Sequence, residues 1–332
     1  MKSLIKKLVE TVGPSGYETK IREVIKNEIE KYADEIQTDA MGNLIVRKGR
    51  KSESGLKIML SAHMDEIGLM VTHVDKNGFA RFTTIGGVRP HNCLGGRVRF
   101  LNGVAGVIGG EKLENLNHVH AIESMFIDVG AKSSEDCPIK IGDVAAFDRP
   151  FEDLGNRLIA KSMDDRISVA VLIDVLKKVK SSPHELYFVF STQEEVGLRG
   201  ATTAAYGIDP DLGIAVDVTT TGDTPRGTLM DVNLGEGPAI KIKDGGMLSD
   251  PRLVEVMVQC AKQQKIPYQL EILLGGTTDA KAMQITKAGM PASCVSIPTR
   301  YVHSPSEMVD FNDVENAVKL LTKLLSEPIN LA

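Results

Sequence analysis

Five residues that commonly ligate cations each stand close behind an apolar run: His63 in SAHMDE, Asp164 in KSMDDR, Glu195 in TQEEVG, Asp217 in IAVDVT and His303 in TRYVHSPSE. Two histidines and three carboxylates are enough for a pair of divalent cations sharing one carboxylate. Imidazole and carboxylate donors suit zinc, cobalt or manganese, and the absence of cysteine from the set argues against a closed structural zinc. Two such cations about 3.5–4 Å apart bring the pKa of a shared water towards neutrality. Glu194 adjoins Glu195. Neighbours after a strand point in different directions, so Glu195 can bind metal while Glu194 faces a substrate as general base. Asp65 lies two residues past His63, on the same side if the strand continues, where it can fix the imidazole tautomer. Singly, each signal is weak. A lone His or Asp is usually a surface or capping group, Asp164 alone reads as a helix N-cap, and the two glutamates alone read as a solvated pair. Their joint placement is what points to a hydrolase.

Elements must bring these residues together. Leu4, Ile5, Leu8, Val9 and Val12 follow helical spacing until Gly13 and Pro14 stop it, and Ile21, Val24, Ile25 and Ile29 mark a second helix. Residues 43–46 and 56–61 read as strands. From 67 to about 160 short strand-like runs (LMVTHV, ARFTTI, RVRFL, VAGVIG, MFIDVG, VAAFD) alternate with glycine-rich turns, the texture of a small β-barrel or sandwich. From Asp164 onward helices and strands alternate (ISVAVLIDVLKKV, LYFVFST, GIAVDV, PRLVEVMVQCAKQ, ASCVSI, VENAVKLLTKLL), which argues for an open α/β sheet. Open sheets do chemistry at the carboxyl ends of their strands, where four of the five candidates fall. Two consecutive domains divided near residue 70 would separate His63 from its partners. An insertion is therefore expected: a catalytic domain in two parts, 1–67 and 161–332, with a β-rich domain at 68–160 looped out between them.

Composition narrows the class. At 332 residues the chain is about twice a typical domain. Hydrophobic content of 42% and charged content of 25% are ordinary for a globular protein. A net charge of -5 supplies no basic field for nucleic acid or anionic lipid. Aromatics make up 5% and Trp is absent, so a sugar-stacking groove is poorly supported. Cys93, Cys137, Cys260 and Cys294 lack CxxC spacing and read as reduced thiols of a cytoplasmic protein. No stretch reads as a signal peptide or a membrane span.

The motifs SAHMDEIG, KSMDDR, TQEEVGLRGA, AVDVT, GGTTDA and PTRYVHSPSE resemble those of the M42 metallo-aminopeptidases, a family that includes tetrahedral and deblocking aminopeptidases and proteins labelled endoglucanase M. The resemblance runs from GPSG at 13–16 to the last helix. It implies an open mixed-sheet α/β catalytic domain carrying two metals, with an inserted β-barrel or PDZ-like dimerisation domain. It also implies a metal at His63 and Asp217, a second at Glu195 and His303, and Asp164 bridging. Glu194 corresponds to the general base and Asp65 to the histidine-orienting carboxylate. The implied reaction removes N-terminal residues from short peptides through a hydroxide shared by two Zn²⁺ or Co²⁺ ions, with Mn²⁺ a third option. The implied assembly is a homo-oligomer, from dimer up to tetrahedral dodecamer.

Other residues carry open alternatives. Asp165 adjoins the expected bridge and helps hold its turn. Arg166 and Arg199 are each equally a structural ion pair or a substrate contact. Gly275, Gly276 and Thr277 after YQLEILL admit a peptide backbone or form a plain strand-to-helix turn. His73, His91, His118, His120 and His184 lie outside the motifs and read as surface or insertion residues. The main competing function is an endo-1,4-β-glucanase. That chemistry uses two carboxyl groups flanking a sugar without metal, which fits poorly with carboxylates interleaved among histidines. A scaffold with a purely structural metal would have no need of Glu194.

Overall fold

The alternation of apolar residues in the strand-forming runs decides which face each side chain buries. In a computed structural model, which describes residues 1–331 apart from 114, 116 and 117, the chain opens with α1 (Lys2–Val9), α2 (Thr19–Ile29), β1 (Glu35–Thr38), β2 (Leu44–Lys48) and β3 (Lys57–His63). Six strands follow: β4 (Gly68–Val74), β5 (Ala80–Ile85), β6 (Arg97–Phe100), β7 (Ala105–Gly110), β8 (Met125–Asp128) and β9 (Val144–Phe147). The chain then returns through β10 (Glu152–Asp153), β11 (Arg157–Ala160), α3 (Met163–Lys178), β12 (Glu185–Ser191), α4 (Arg199–Ile208) and β13 (Leu212–Thr219). It ends with β14 (Ala239–Lys243), α5 (Pro251–Gln264), β15 (Gln269–Ile272), α6 (Asp279–Gln284), β16 (Ala292–Arg300), β17 (Glu307–Asp310) and α7 (Phe311–Ser326).

Eleven strands form one open mixed sheet in the order β1-β2-β12-β3-β13-β16-β17-β11-β10, with β14 and β15 extending from β16. The central four, β12, β3, β13 and β16, are parallel, and β2, β14 and β17 join them antiparallel. Period-2 alternation sorts the two faces. Ile58, Leu60, Ile214 and Val216 pack with α1, α2, α3, α5 and α7, whereas Met59, Val189, Ala215 and Cys294 pack with α4 and α6. Helix α3 is buried over most of its length because it lies between the sheet and α1, α2 and α7. Helix α7 is amphipathic: Val314, Ala317, Val318, Leu321 and Leu325 face inward, and the Asp310 carboxylate caps it by accepting from the Asn312 N–H at 2.8 Å.

Strands β4 to β9 close into a barrel in the order β4-β5-β8-β7-β6-β9. Its own core includes Leu69, Val71, Phe82, Val98, Phe100, Ile108, Ile127 and Phe147. The α/β class with an open mixed sheet and an inserted barrel is the architecture read from the sequence. One histidine differs from that reading. His184 is no surface residue: it is fully buried, its Nδ1 accepts from the Leu56 N–H at 3.0 Å, and its Nε2 faces the Glu327 carbonyl at 2.9 Å. It ties three segments together, something a lone histidine in SSPHEL does not reveal. Among the described residues no helix is long and apolar enough to cross a membrane.

Candidate metal centre

Parallel strands end at one edge, and the apolar runs that build them carry polar residues to that edge. His63 is the last residue of β3 and Asp217 lies near the end of β13. Glu194 and Glu195 follow β12, and His303 follows β16. The register sets Ser191 opposite His63 and Ser296 opposite Asp217. Asp164 arrives from the turn entering α3, where Asp164 and Asp165 have non-helical backbone and are joined by a cis peptide bond, so the regular helix starts at Arg166. Gln193 and His303 both hold positive φ, +55° and +62°, a conformation that non-glycine residues adopt mainly where surrounding structure imposes it.

These residues converge. His63 Nε2 lies 3.0 Å from Asp164 Oδ1, and His303 Nε2 lies 3.3 Å from both Asp164 Oδ2 and Glu195 Oε1. One carboxylate thus spans two imidazoles. His63, Asp164 and Glu195 offer ligand atoms within 4.8 Å of one another, and so do His63, Asp165 and Asp217. Asp165 also accepts from the His63 N–H at 3.2 Å, and its Oδ1 is buried without a partner. Glu194 Oε2 stands 3.9 Å from His63 Nε2. Among the described residues the Glu194 carboxylate accepts no hydrogen bond.

A buried frame holds this cluster. His63 Nδ1 lies 3.2 Å from the Asp65 carbonyl oxygen and 3.4 Å from Asp65 Oδ1. The nearer carbonyl contact meets hydrogen-bond geometry, while the carboxylate adds charge. Asp65 also accepts from the N–H groups of Glu194 (3.1 Å) and Glu195 (3.2 Å) and from Ser15 Oγ (2.7 Å). Glu307, which the sequence reading left unassigned, accepts from the Asp164 N–H at 2.9 Å and the His303 N–H at 2.8 Å, coupling two ligand-bearing turns. Asp279 accepts from Ser61 Oγ (2.6 Å) and Ser191 Oγ (2.5 Å), bracing the ends of β3 and β12. Arg166 is fully buried and donates to the carbonyls of Leu8, Thr11 and Gly13, so its role is to dock the N-terminal segment.

The barrel reaches this wall through Gly86 and Gly87. A Cβ on Gly87 would lie 2.3 Å from His303 Nδ1, and one on Gly86 3.0 Å from Glu195 Oε2. Glycine is what lets the barrel loop close over the two ligands. Between sheet and barrel opens a cavity of about 570 Å³ walled by His63, Asp164, Glu194, Glu195, Asp217 and His303. Gly275 and Gly276 line its rim, with Lys241 on the sheet side and Arg89 on the barrel side. Arg199 lies off the cavity wall, exposed and donating to Gln193 Oε1 at 3.2 Å.

Electrostatics tests whether cations fit. Burial pushes Glu194, Asp165 and Asp217 well above the carboxylate range, and neighbouring carboxylates push them further. Burial opposes the charge on His303, yet Asp164 and Glu195 outweigh it and lift the imidazole to about 11. His63 is raised in the same way by Asp164 and Asp65. Asp65 is held below its ordinary value: burial raises it, but His63, Ser15 and the Glu194 N–H outweigh that. Buried carboxylates outnumber their imidazole partners, and among the described residues Asp165 Oδ1 and Asp279 Oδ1 have no hydrogen-bond partner. This is an environment short of positive charge, with the N/O donor set that divalent cations take.

A family model described as M42 glutamyl aminopeptidase matches residues 42–320. A protein described as a putative aminopeptidase of Acetivibrio thermocellus is 48% identical over 329 residues, covering 98% of each chain. A solved aminopeptidase of the archaeon Desulfurococcus kamchatkensis superposes with a TM-score of 0.94 at 40% identity, covering 98% of this chain and 94% of that one. The Pyrococcus horikoshii TET1 peptidase, described as assembling into a tetrahedron or a large octahedral shell, superposes with a TM-score of 0.88 at 34% identity, covering 98% and 99%.

Proposed function

The chain belongs to the M42 family of aminopeptidases, and from that premise we propose that it removes N-terminal residues from short peptides at a two-cation centre. The observation that carries this reading is Asp164, one carboxylate set between His63 at 3.0 Å and His303 at 3.3 Å. His63 and Asp217 would hold one cation, Glu195 and His303 the other, with Asp164 between them. Zinc, cobalt and manganese all suit such donors. Bound there, the cations would supply Lewis acidity that polarises the scissile carbonyl and acidifies a water.

The chain's own groups do the rest. Glu194 lies on the cavity wall and, among the described residues, its carboxylate accepts no hydrogen bond, so it is free to take the proton of the attacking water and return it to the leaving amine. Asp65 orients His63 and, through the Glu194 and Glu195 N–H groups, the turn that carries the base. The carboxylates of the same wall attract the substrate's free α-amine, and Gly275 and Gly276 leave room for its backbone at the rim. Arg199, away from the wall, is best read as holding Gln193.

The inserted domain, 68–160 between catalytic parts 1–67 and 161–332, is proposed to shape access to this cavity and to carry the dimer contact of a homo-oligomer. The assembly described for the TET1 peptidase supports a larger hollow particle. A cytoplasmic location would suit such a peptide-processing enzyme. Among the described residues no Phe, Tyr or Trp lines the cavity, which gives a glucan no stacking surface.

The test is chelation followed by reconstitution with zinc, cobalt or manganese, assayed on aminoacyl-p-nitroanilides and on carboxymethylcellulose. Metal-restored anilide cleavage with no glucan cleavage is the expected result. Activity that survives full chelation, or glucan cleavage alone, would contradict the proposal.

A further inference from the structure

One charged side chain outside the acidic wall is sealed into the sheet side of the cavity. Lys241 on β14 forms part of the lining yet is 0% exposed. Its Nζ donates to Glu271 Oε1 at 2.5 Å, and Asp244 Oδ2 stands 4.0 Å away. Thr219 Oγ1 donates to the same Glu271 oxygen at 2.7 Å. Glu271 and Asp244 are themselves buried and do not reach the cavity wall. A buried ammonium without a counter-charge is unstable, and this pairing answers that need. Apart from Asp217, whose charge Lys241 also offsets, the sheet-side lining is aliphatic or hydroxylic: Val218, Thr219, Thr220, Leu273 and Leu274. Across the cavity, Gly87 and Arg89 on the barrel loop are exposed. An exopeptidase needs a closed end for one residue and an open end for the chain that leaves. On the sheet side the floor is closed by Lys241, Val218 and Thr219, all buried, while Leu274, Gly275 and Gly276 form an exposed rim above it.

We propose that this sheet-side recess holds the substrate's first side chain, and that the Lys241/Glu271 pair makes it select uncharged residues, aliphatic ones foremost. The proposal rests on the aminopeptidase reading above. An acidic side chain entering the recess would lose its hydration and meet an ammonium whose charge Glu271 already counters. A basic side chain would meet Lys241 before either carboxylate, a like-charge encounter. An aliphatic side chain loses nothing and buries its surface against Val218, Leu273 and Leu274. Specificity of this kind is a difference between affinities, set as much by what is rejected as by what is held.

The pairing also makes the preference switchable in two directions. Glu271→Gln keeps the shape and frees the lysine charge, whereas Lys241→Met frees the carboxylate. The full-length, metal-loaded protein would be assayed with the p-nitroanilides of Leu, Glu and Lys, reading ratios of kcat/KM. The wild type should favour Leu over both charged substrates by about tenfold or more, within the range that pocket contacts supply. Glu271→Gln should raise the Glu/Leu ratio by about tenfold, and Lys241→Met should raise the Lys/Leu ratio. A gain for the acidic substrate in one variant and for the basic substrate in the other cannot come from a general loss of stability, which lowers all three rates together. Circular dichroism establishes that each variant is folded. If Glu271→Gln does not fold, the wild-type profile and Lys241→Met decide the matter. Ratios within twofold of wild type in folded variants, or a wild type that prefers Glu or Lys, would overturn the proposal. A wild type inactive on all three anilides after metal loading would instead remove the aminopeptidase reading on which it rests.

Discussion

The sheet edge and the barrel loop face each other across one cavity, yet one contributes charge and the other contributes room. The sheet and its connecting turns deliver His63, Glu194, Glu195 and Asp217, with Asp164 and His303 from adjoining turns. The barrel delivers Gly86 and Gly87, two residues without side chains, placed where a methyl group would strike Glu195 and His303. Ligand geometry is set where parallel strands end in fixed register, and a separately cored barrel can only close over it. Donors belong on the rigid element, and clearance belongs on the element that covers it.

That division can be broken from either side. The larger effect is expected on the sheet side. Glu307→Gln keeps the shape of the group that receives the Asp164 and His303 N–H bonds but weakens its hold on both turns. Support of this kind, once removed, typically costs metal affinity about 10–100-fold. Competition with a chromogenic chelator measures it, and unchanged affinity would make Glu307 a bystander.

Gly87→Ala tests the barrel side. The added methyl must displace the His303 ring or the loop, an overpacking that costs about 1–3 kcal/mol. Weaker metal binding with the fold retained is expected, and His303→Ala should abolish the sensitivity to Gly87→Ala, since the clash partner is gone. If Gly87→Ala behaves as wild type in metal affinity, the barrel does not press on the site.

The smallest effect lies outside both elements of the comparison and concerns stability alone. Asp313 accepts from the N–H groups of Gly235 (2.7 Å) and Gly237 (2.8 Å), and burial lifts its carboxyl to about 6. The unfolded chain titrates near ~3.9. Between these values the folded state holds a proton that the unfolded state lacks. The contribution is therefore fully present below about pH 4 and lost as pH rises through about 6. Asp313→Asn has no such titration. Its stability relative to wild type should rise across that window by at most about 3 kcal/mol, measured by denaturant midpoints at fixed protein concentration. A flat difference would contradict the assignment.

The same contrast explains what the sequence made legible. His63, Glu195 and Asp217 follow long apolar runs, and a polar residue at the end of a buried strand is conspicuous. Glu307 opens a four-residue strand after a turn, so nothing local separates it from a solvated glutamate. Lys241 sits in KIKD, where nothing local marks it as buried, and only the pairing of β14 with β15 brings Glu271 behind it. Asp279 is an ordinary residue at a helix start until Ser61 and Ser191, 218 and 88 residues away, are seen to donate to it. The short runs with glycine turns announced a compact β unit, but closure into a barrel depends on β4 meeting β9, a pairing that no local pattern encodes.

The most direct test of the central claim separates holding metal from moving a proton. Bound metal per chain and turnover of an aminoacyl-p-nitroanilide would be measured side by side in wild type and Glu194→Gln. The account predicts two divalent cations per chain in both proteins and a fall in kcat of at least ~10²-fold in the variant, the usual contribution of a general base. Near-normal turnover would contradict the role of Glu194, and loss of both metal and activity would make it a ligand instead.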